Sequence, residues 1–413
     1  MKNRVRFTFV RDRLNRTAIA SLVAALECEV DDVSDCVRVT TPKDLLELDF
    51  DRSGRTVEVV CVSSMTVNFP SALRLIKILK KRWGTDAFIT LSGGAHSSGQ
   101  PLKALSAGID YCCVGEGEDV IREVARNPAA GESLSEIAGV YRLEGEILQG
   151  KPRTVPVDLS SFPALPTRMR FPTYIEIGRG CSWGCGFCQT PGIHGRVERF
   201  RSVAEIEDIV SVYADFGMKD FRFLLPNSLG YASDEAGKPN CDVLEDLLVR
   251  SRSVSKGGRL YLGSFPSEVR PDYVTEDAIR ILKAHVSNTK LVIGGQSGSD
   301  RMLESIGRGH GVEAIRRSCD IISSCGFVPA VDMVLGFPGE TSDDRQATFA
   351  FVEKLGATGT IFYIHFFMPL PGTPLAGGDP VFLTDDERRN LDRLAQEGIV
   401  RGRWRSQEEL AGE

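Results

Sequence analysis

Three of the eleven cysteines in this 413-residue chain lie close enough in sequence to bind one metal centre. They form the run Cys181-Ser-Trp-Gly-Cys185-Gly-Phe-Cys188, spaced C-x-x-x-C-x-x-C. A structural zinc site uses four ligands, usually in two separated pairs, and the only nearby candidate for the fourth is His194. Three thiolates on a glycine-bearing loop suit an iron–sulfur cluster better, because a cubane held by three cysteines keeps one iron open. The other eight cysteines are scattered, mostly in apolar contexts, and are interpreted as packing residues.

Charge and hydropathy exclude several classes of protein. With 50 Lys and Arg against 56 Asp and Glu, the net charge of −6 is too mild to mark a nucleic-acid binder or a membrane-surface protein. The 42% of hydrophobic residues is enough for packed cores, which excludes wholesale disorder. No apolar run approaches a spanning helix, and the first residues contain no signal-peptide hydrophobic region. We therefore expect a cytoplasmic protein with reduced thiols, and neither nucleic-acid nor membrane partners.

The cysteine loop resembles the cluster motif of the radical S-adenosylmethionine (SAM) enzymes, including the aromatic Phe187 before the last cysteine. In that family the open iron binds the amino and carboxylate groups of SAM, and reduction of the cluster cleaves SAM to a 5′-deoxyadenosyl radical. The resemblance therefore implies that Cys181, Cys185 and Cys188 hold a [4Fe–4S] cluster.

Three later segments strengthen this resemblance. Residues 294–303 are similar to the G-x-E-S-G-S-x-x-x-L segment of the branch that contains methylthiotransferases and many cobalamin-dependent enzymes, and residues 334–341 and 367–375 resemble its fifth-strand motif and sixth-strand exit. The chain has Gln296 where that branch has Glu, and Pro226-Asn-Ser where many relatives have Gly-Gly-Glu. The residues expected to contact SAM are Phe187, Asn227, Ser228, Arg270, Gln296 and Ser297. As alternatives, Asn227 and Ser228 shape a turn and Arg270 is solvated.

Strand-like runs alternate with helical ones around the cysteine loop. An extended segment at 172–179 precedes the loop, and further strands are predicted at 221–225, 259–262, 290–293, 327–334 and 360–364. Helices are predicted at 202–216, 242–253, 275–283, 312–325 and 343–355. Six such strands predict a parallel partial barrel, with active loops at the carboxyl ends of its strands. The cysteine loop follows one of those ends.

A second alternating pattern precedes the cysteine loop. Strands are predicted at 5–10, 57–62, 87–91 and 111–114, and helices at 17–27, 71–83 and 101–107. This pattern predicts a small open α/β domain whose ligand crevice lies at the carboxyl ends of the strands. A nucleotide-binding Rossmann domain is the alternative, but no G-x-G-x-x-G follows the first strand.

Two glycine-rich stretches of this region, 92–96 and 107–118, resemble the cobalamin-binding domain that precedes many radical SAM domains. The residues expected to contact cobalamin are Arg11, Arg13, Asn15, Ser63, Ser64, Met65, Gly93, Gly94, Ala95, His96, Gly115, Glu116 and Gly117. The D-x-H-x-x-G motif that supplies a lower cobalt ligand is absent. We therefore expect the lower face of the cofactor to lack a histidine and to be covered by residues 11–15.

The fold predicted overall is α/β, with an N-terminal Rossmann-like cobalamin-binding domain and a partial (β/α)6 radical SAM barrel. The cobalamin-binding domain spans 1–130, a linker with a hairpin and a proline-rich bridge 131–170, the barrel 171–375 and a helical tail 376–413. The charged tail is interpreted as a solvated capping element, with substrate docking as the alternative.

The combined resemblance implies an anaerobic, cobalamin-dependent radical SAM methyltransferase that moves a methyl group from methylcobalamin to an unactivated carbon. Its cofactors would be a [4Fe–4S] cluster, SAM and cobalamin. The compact arrangement is similar to that of archaeal enzymes that C-methylate a glutamine of methyl-coenzyme M reductase. That likeness implies a protein or peptide substrate and an electron donor such as ferredoxin or flavodoxin. No residue receives a catalytic role.

Two other functions stay open. One is a radical SAM reaction of another type, such as ring formation or sulfur insertion, although sulfur insertion usually needs a second cluster and the sequence contains no second cysteine triad. The other is a corrinoid-binding protein without catalysis.

Overall fold

The structure is a computed structural model that describes residues 4–51, 55–126, 134–235 and 237–412. The chain divides into two compact units. Unit 1 consists of Met1–Tyr174 and Gln189–Gly195, and unit 2 of Ile175–Cys188 and Arg196–Glu413. None of the helices described is both long and apolar enough to cross a membrane.

Unit 1 is built on a seven-stranded sheet with the order β2-β1-β3-β4-β5-β6-β7. Its strands are β1 (Arg4–Val10), β2 (Val37–Thr40), β3 (Thr56–Ser63), β4 (Ile89–Gly93), β5 (Tyr111–Cys113), β6 (Val140–Glu144) and β7 (Ile147–Gly150). The first five are parallel, and β6 and β7 form an antiparallel hairpin that extends the sheet beyond β5. Successive residues of β3 face opposite sides, so Val59 belongs to one hydrophobic cluster and Val60 to another.

Helices cover both faces of this sheet, as parallel crossovers require. They are α1 (Arg16–Glu27), α2 (Val33–Cys36), α3 (Pro42–Leu45), α4 (Phe69–Trp83), α5 (Ala95–Gly99), α6 (Pro101–Ser106), α7 (Glu118–Arg126) and α8 (Thr190–His194). The four predicted strands and three predicted helices are present within about two residues of their predicted ends. The short strand β2, the helix α7 and the short helices α2, α3, α5 and α8 were not predicted.

Unit 2 contains a row of parallel strands. They are β8 (Ile175–Glu176), β11 (Asp220–Leu224), β12 (Arg259–Tyr261), β13 (Lys290–Gln296), β14 (Val328–Leu335), β15 (Ile361–Phe366) and β16 (Val400–Gly402), and two short strands, β9 (Gly178–Arg179) and β10 (Arg199–Phe200), pair separately. The row has two parts, β12-β11-β8 and β13-β14-β15-β16. Val269 joins them, because its N–H donates to Val292 and its carbonyl accepts from Gly294.

The helices of unit 2 follow the predicted alternation with the strands. They are α9 (Val203–Asp215), α10 (Cys241–Val254), α11 (Glu276–His285), α12 (Asp300–Ser305), α13 (Val312–Ser324), α14 (Ser342–Gly356), α15 (Asp385–Gln396) and α16 (Trp404–Ala411). Capping boxes begin α9 at Ser202 and α14 at Thr341, where the side chain of the residue three positions on completes the reciprocal hydrogen bonds.

The tail departs from the helical prediction. Between its two helices, β16 pairs in parallel with β15 and extends the sheet by one strand. Val400, Leu391 and Trp404 are buried, so this segment packs as part of unit 2 instead of lying as a solvated cap.

Candidate functional site

The cysteine loop leaves β9 through a turn that only glycine tolerates. Gly180 has φ +85°, and a Cβ there would lie 2.2 Å from the carbonyl oxygen of Val197. Cys185 is buried, whereas Cys181 and Cys188 are partly exposed. The N–H of Cys188 donates to the carbonyl of Cys185 at 3.1 Å, which closes a tight turn between the last two thiols.

The donor set fits an iron–sulfur cluster better than a single ion. Burial, followed by the neighbouring Cys188 and Cys185 thiols, raises the pKa of Cys181, so the thiolates need a cation to be stable. In the described residues no three His, Cys, Asp or Glu side chains are gathered as ligands of one metal ion. Three cysteine thiols on one loop match a cubane that keeps its fourth iron open.

The proposed fourth zinc ligand, His194, is not part of this loop. It belongs to unit 1, where its Nδ1 lies 3.0 Å from the Glu116 carboxylate.

A segment after α12 supports the cysteine loop from within unit 2. The N–H of Gly186 donates to the carbonyl of Ile306 at 2.9 Å, and a Cβ at Gly309 would collide with the ring of Trp183 at 2.4 Å. Between these points, Arg308 donates from Nη1 to the Cys185 Sγ at 3.2 Å. Arg308 is separated from Cys185 by 123 residues, so no local sequence signal reveals this contact.

Arg270 lies beside the same loop, and one of its guanidinium nitrogens has no hydrogen-bond partner among the described residues. Its guanidinium lies 3.6 Å from the centroid of the Trp183 ring, and its Nη2 donates to the carbonyl of Arg308 at 2.6 Å. Burial, and then the charge of Arg308, lowers the pKa of Arg270. Its Nη1 is buried without a partner among the described residues, as expected of a donor that awaits an anionic ligand. This geometry fits the carboxylate of SAM.

The other residues predicted to contact SAM differ in how they are used. Asn227 accepts from the N–H of Arg270 at 3.1 Å, and Ser228 is fully buried in hydrogen bonds with Ser267. Ser297 is fully buried and accepts from the N–H of Ser299 at 3.2 Å. All three side chains form hydrogen bonds within unit 2, and those of Ser228 and Ser297 are buried in its interior.

Gln296 is buried and Phe187 is partly exposed. Gln296 has φ +78° at a bulge in β13, which is unusual for a residue other than glycine and turns its side chain out of the regular register. Phe187 packs against Phe337, with 5.5 Å between ring centroids. Among the predicted SAM contacts, Arg270 has a buried donor without a partner in the described residues, and Gln296 has an unusual backbone conformation at a bulge.

A carboxyl pair that the sequence analysis missed lies next to β13. A Cβ at Gly294 would be 2.8 Å from a Glu268 carboxylate oxygen, and Gly294 pairs in register with Asp332 of β14. Burial, followed by the charge of Glu268, raises the pKa of Asp332 strongly. Two such carboxyl groups can share one proton and act as both donor and acceptor to a ligand.

In unit 1, the loops after β1 and β3 are joined by amide and carboxylate side chains. The Asn15 Nδ2 donates to the carbonyls of Val10 and Ser63 at 2.9 and 3.1 Å, and the Asn68 Nδ2 donates to Asp12 at 2.6 Å. Asn15, predicted to contact cobalamin, is thus buried in the scaffold of this edge.

Apolar side chains are exposed at this edge. Leu14 is 56%, Met65 46% and Val67 50% exposed, and Arg13 beside them is exposed too. Leu14 follows β1, and the other two follow β3. An exposed apolar patch at the carboxyl ends of parallel strands is typical of a binding surface for a large ligand. A corrin ring fits that description. Arg11 is half-buried, with its guanidinium 5.8 Å from the Phe171 ring.

His96 packs inside unit 1, and its Nε2 is buried without a hydrogen-bond partner in the described residues. Its ring stacks on Phe69 with 3.9 Å between centroids, and its Nδ1 lies 3.5 Å from the Thr66 hydroxyl. Burial lowers the pKa of His96, which keeps the ring neutral. The residue is 4% exposed and lies in α5, just after β4, where the sequence predicted a contact with cobalamin.

The glycine loops after β4 and β5 bring backbone close to backbone. Gly94 has φ +85°, and a Cβ there would approach Ser63 Oγ to 2.9 Å and the N and O atoms of Ser64 to 3.0 Å. Gly93 and Ala95 flank it and are partly exposed. This close approach explains the Ser-Gly-Gly run at the predicted cobalamin edge.

After β5, Gly115 donates its N–H to Ser98 at 3.0 Å, and a Cβ at Gly117 would contact the Leu22 side chain at 3.2 Å. The Glu116 carboxylate accepts from the N–H of Val157 at 2.8 Å and lies beside His194. Glu116 therefore fastens the connector and α8 to unit 1.

Family models match two separate stretches of the chain. The family model "Radical SAM superfamily" matches residues 175–352, and the model "B12 binding domain" matches residues 12–125. The predicted fold class, an N-terminal cobalamin-binding domain followed by a radical SAM domain, is confirmed. The cofactors of such a chain are a [4Fe–4S] cluster, SAM and cobalamin, which confirms the cofactor prediction.

Among curated proteins, the chain is 31% identical over 243 residues to the tRNA-2-methylthio-N(6)-dimethylallyladenosine synthase of Halorhodospira halophila. The match covers 57% of this chain and 50% of that protein. The protein of the same name from Chlorobium phaeobacteroides is 31% identical over 235 residues, 55% of this chain and 50% of that protein. The chain thus spans about half the length of these relatives.

Two solved structures share the fold over most of the chain. The radical SAM methyltransferase TsrM from Kitasatospora setae, with cobalamin and a [4Fe–4S] cluster bound, has a TM-score of 0.70 at 19% identity over 90% of this chain and 74% of that chain. The cobalamin-dependent SAM radical enzyme OxsB, with aqua-cobalamin bound, has a TM-score of 0.67 at 14% identity, covering 96% of this chain and 58% of that chain. At these identities the likeness concerns the fold.

Proposed function

For a chain that joins a B12-binding domain to a radical SAM domain, we propose the activity of a cobalamin-dependent radical SAM methyltransferase. The observation that carries the proposal is the presence of both cofactor-binding domains in one chain, with a three-cysteine loop in the second. A radical SAM enzyme that uses only SAM chemistry does not need a B12-binding domain.

When bound, the cluster and SAM supply a 5′-deoxyadenosyl radical and cobalamin supplies a methyl group, while the protein controls position and access of water. Cys181, Cys185 and Cys188 would hold the cluster. The free Arg270 Nη1 would bind the SAM carboxylate, and Gln296 would hydrogen-bond a polar group of SAM without adding charge. Gly93, Gly94 and Ala95, with Met65 and Leu14, would line the corrin.

We extend the proposal to the substrate as an unactivated carbon of a protein or peptide, with a glutamine of methyl-coenzyme M reductase as the specific candidate. The Glu268 and Asp332 carboxyl pair supports an amide substrate, because together the two groups offer one donor and several acceptors. A low-potential electron donor such as ferredoxin or flavodoxin would reduce the cluster. Since a cluster with an open iron is oxygen-sensitive, the setting would be anaerobic and cytoplasmic.

The test uses the whole chain, prepared without oxygen and reconstituted with iron, sulfide and cobalamin. It is incubated with dithionite, SAM labelled in its methyl group and a glutamine-containing peptide from methyl-coenzyme M reductase. We expect 5′-deoxyadenosine together with label on carbon in the peptide. Label in this peptide, together with no label in a control peptide that lacks glutamine, would support the specific substrate.

Two variants make the result specific to the cluster. Cys181→Ala removes a ligand, so we expect loss of the cluster absorbance and of both products, with cobalamin still bound. Cys325→Ala, in the same unit but outside the loop, is expected to retain all of them. 5′-Deoxyadenosine without transferred label would instead indicate another radical reaction, and the absence of both would indicate a corrinoid-binding protein without catalysis.

A further inference from the structure

Arg308 is a buried cation that neither the sequence motifs nor the comparisons explain. It is 7% exposed and points its guanidinium in three directions. The Nη1 donates to Cys185 Sγ at 3.2 Å, the Nη2 donates to the carbonyl of Gly294, and the Nε lies 3.3 Å from His310 Nε2. One side chain therefore connects the cysteine loop, the bulged end of β13 and the segment after α12.

The backbone on either side fixes this side chain in place. Gly307 and Gly309 both have φ +72°, and each lies against the cysteine loop, one at the carbonyl of Gly184 and the other at the Trp183 ring. The carbonyl of Arg308 itself accepts from Arg270. Since the two glycines adopt a conformation that disfavours other residues, the segment presents Arg308 to Cys185 in one orientation.

We propose that Arg308 is a positioning residue that donates a charge-assisted hydrogen bond to the Cys185 thiolate and thereby raises the reduction potential of the cluster. The inference deepens the proposed function, because it rests on Cys181, Cys185 and Cys188 binding a [4Fe–4S] cluster. Arg308 does not touch SAM or the substrate in this proposal. It acts through Cys185.

The direction of the effect follows from charge. Reduction adds one electron, delivered by a low-potential one-electron donor of the ferredoxin or flavodoxin class, and breaks no bond and moves no proton. The added negative charge is stabilised by a fixed cation and by a hydrogen bond to the ligand sulfur. A guanidinium stays protonated throughout the working pH range, so it supplies this stabilisation at all times.

The hydrogen bond to Gly294 lets Arg308 link the cysteine loop to β13, which a lysine at this position would not do in the same way. Arginine reaches Cys185 with one terminal nitrogen and Gly294 with the other, whereas an ammonium group presents its donors from one point. Arg308→Lys therefore keeps a positive charge near Cys185 but gives up the link between the cysteine loop and β13. Comparing lysine with methionine at this position separates charge from bridging.

The experiment measures the cluster and needs no turnover. Wild type, Arg308→Met, Arg308→Lys and Arg301→Met are reconstituted anaerobically, titrated with dithionite and followed by electron paramagnetic resonance of the reduced cluster. Arg301→Met is the matched control, because Arg301 lies on the preceding helix and pairs with Asp344 instead of the cysteine loop. Iron and sulfide contents are determined for each protein.

We expect the ratio of reduced to oxidised cluster at a fixed potential to fall about tenfold in Arg308→Met, which corresponds to about 59 mV for a one-electron couple. Arg308→Lys should fall between that variant and wild type, and Arg301→Met should match wild type. Should Arg308→Met fail to assemble a cluster even though Arg301→Met does, the test is the reduction potential of Arg308→Lys, which should lie below that of wild type.

A potential for Arg308→Lys and Arg308→Met equal to that of Arg301→Met would overturn the inference. It would be overturned too if both Arg308 variants lost the signal of the reduced cluster only in proportion to their lost iron, with the potential unchanged. A wild-type protein that holds no [4Fe–4S] cluster would refute the proposed function itself, so the two failures are distinguishable. Labelled-product measurements are not needed for either conclusion.

Discussion

The surroundings of Asp332 in unit 2 strongly oppose its ionisation. It is 7% exposed and faces Glu268, and burial followed by the charge of that neighbour raises its pKa. Its carboxyl group therefore stays protonated in the folded protein at a pH where it is ionised in the unfolded chain. Folding stability from this group is present at low pH and is lost as pH rises from the unfolded pKa towards the raised folded pKa.

Replacing Asp332 with asparagine should remove that loss. For Asp332→Asn we expect the free energy of unfolding to fall less steeply with pH between 5 and 8 than in wild type, by up to about 1.4 kcal/mol per pH unit. Urea unfolding curves at several pH values measure the two slopes. Asp277→Asn, at a side chain that is 81% exposed, serves as control and should keep the wild-type slope. Equal slopes for wild type and Asp332→Asn would contradict the assignment.

Functional residues that lie close together in the sequence could be predicted, whereas those that only the fold brings together could not. Cys181, Cys185 and Cys188 lie within eight positions, so their spacing alone indicates a shared metal centre. Arg308 and Asp332 reach the same region from distant segments, and nothing near them in the chain marks them. The hydroxyl groups of Ser228 and Ser297 matched family positions, yet tertiary hydrogen bonds engage both.

Among the elements, the loop after β4 depends on the absence of a side chain at Gly94. Alanine there would adopt an unfavourable φ of +85° and would press its Cβ against Ser63 and Ser64. For Gly94→Ala we expect a loss of stability of about 1–2 kcal/mol from the backbone conformation alone, plus a further loss from the displaced β3 loop. Cobalamin affinity, measured by equilibrium titration of absorbance, should fall as well.

Gly108→Ala separates the two effects. Gly108 has φ +109° but no heavy atom within 4 Å of the position of its Cβ, so the variant carries the backbone penalty without the collision. We expect a smaller loss of stability and an unchanged cobalamin affinity. Equal losses in both variants would show that the close approach to Ser63 and Ser64 is unimportant.

The elements that the sequence did not predict are short or lie in charged segments. β2 has four residues and β16 three, below the length at which alternation becomes a signal. α7 begins at Glu118, directly after a glycine run that favoured a loop. Strand β16 follows the charged helix α15, and only its pairing with β15 shows that the tail belongs to the sheet. Helices with strong caps, such as α9 and α14, were found within about two residues.

For the whole molecule, cofactor binding should stabilise the chain by mass action. Cobalamin at 100 times its dissociation constant would add about 2.7 kcal/mol to the stability of the unit that binds it. We expect scanning calorimetry to show a cobalamin-dependent rise in one thermal transition, in wild type and in Cys181→Ala alike. No rise, or a rise that disappears in Cys181→Ala, would contradict binding of cobalamin by unit 1.

The sequence predicted two α/β parts because the alternation of strands and helices restarts near the cysteine loop. One detail could not be foreseen. Residues 189–195 follow directly after Cys188 in sequence but are part of unit 1, where Gln189 donates to the carbonyl of Ala95 and His194 lies beside Glu116. Sequence order assigns this stretch to the barrel, whereas its packing assigns it to the other unit.

Residues 189–195 determine how the molecule can be divided. The chain changes units after Tyr174, again after Cys188 and once more after Gly195. Each unit is therefore built from two separate segments of the sequence. A fragment that ends at Tyr174 would lack α8, leaving the carbonyl of Ala95 and the Glu116 carboxylate without their contacts to Gln189 and His194. A fragment that begins at Ile175 would carry α8 without the surface on which it packs. Exchange of either unit between related proteins, in evolution or in the laboratory, would have to move this stretch with unit 1.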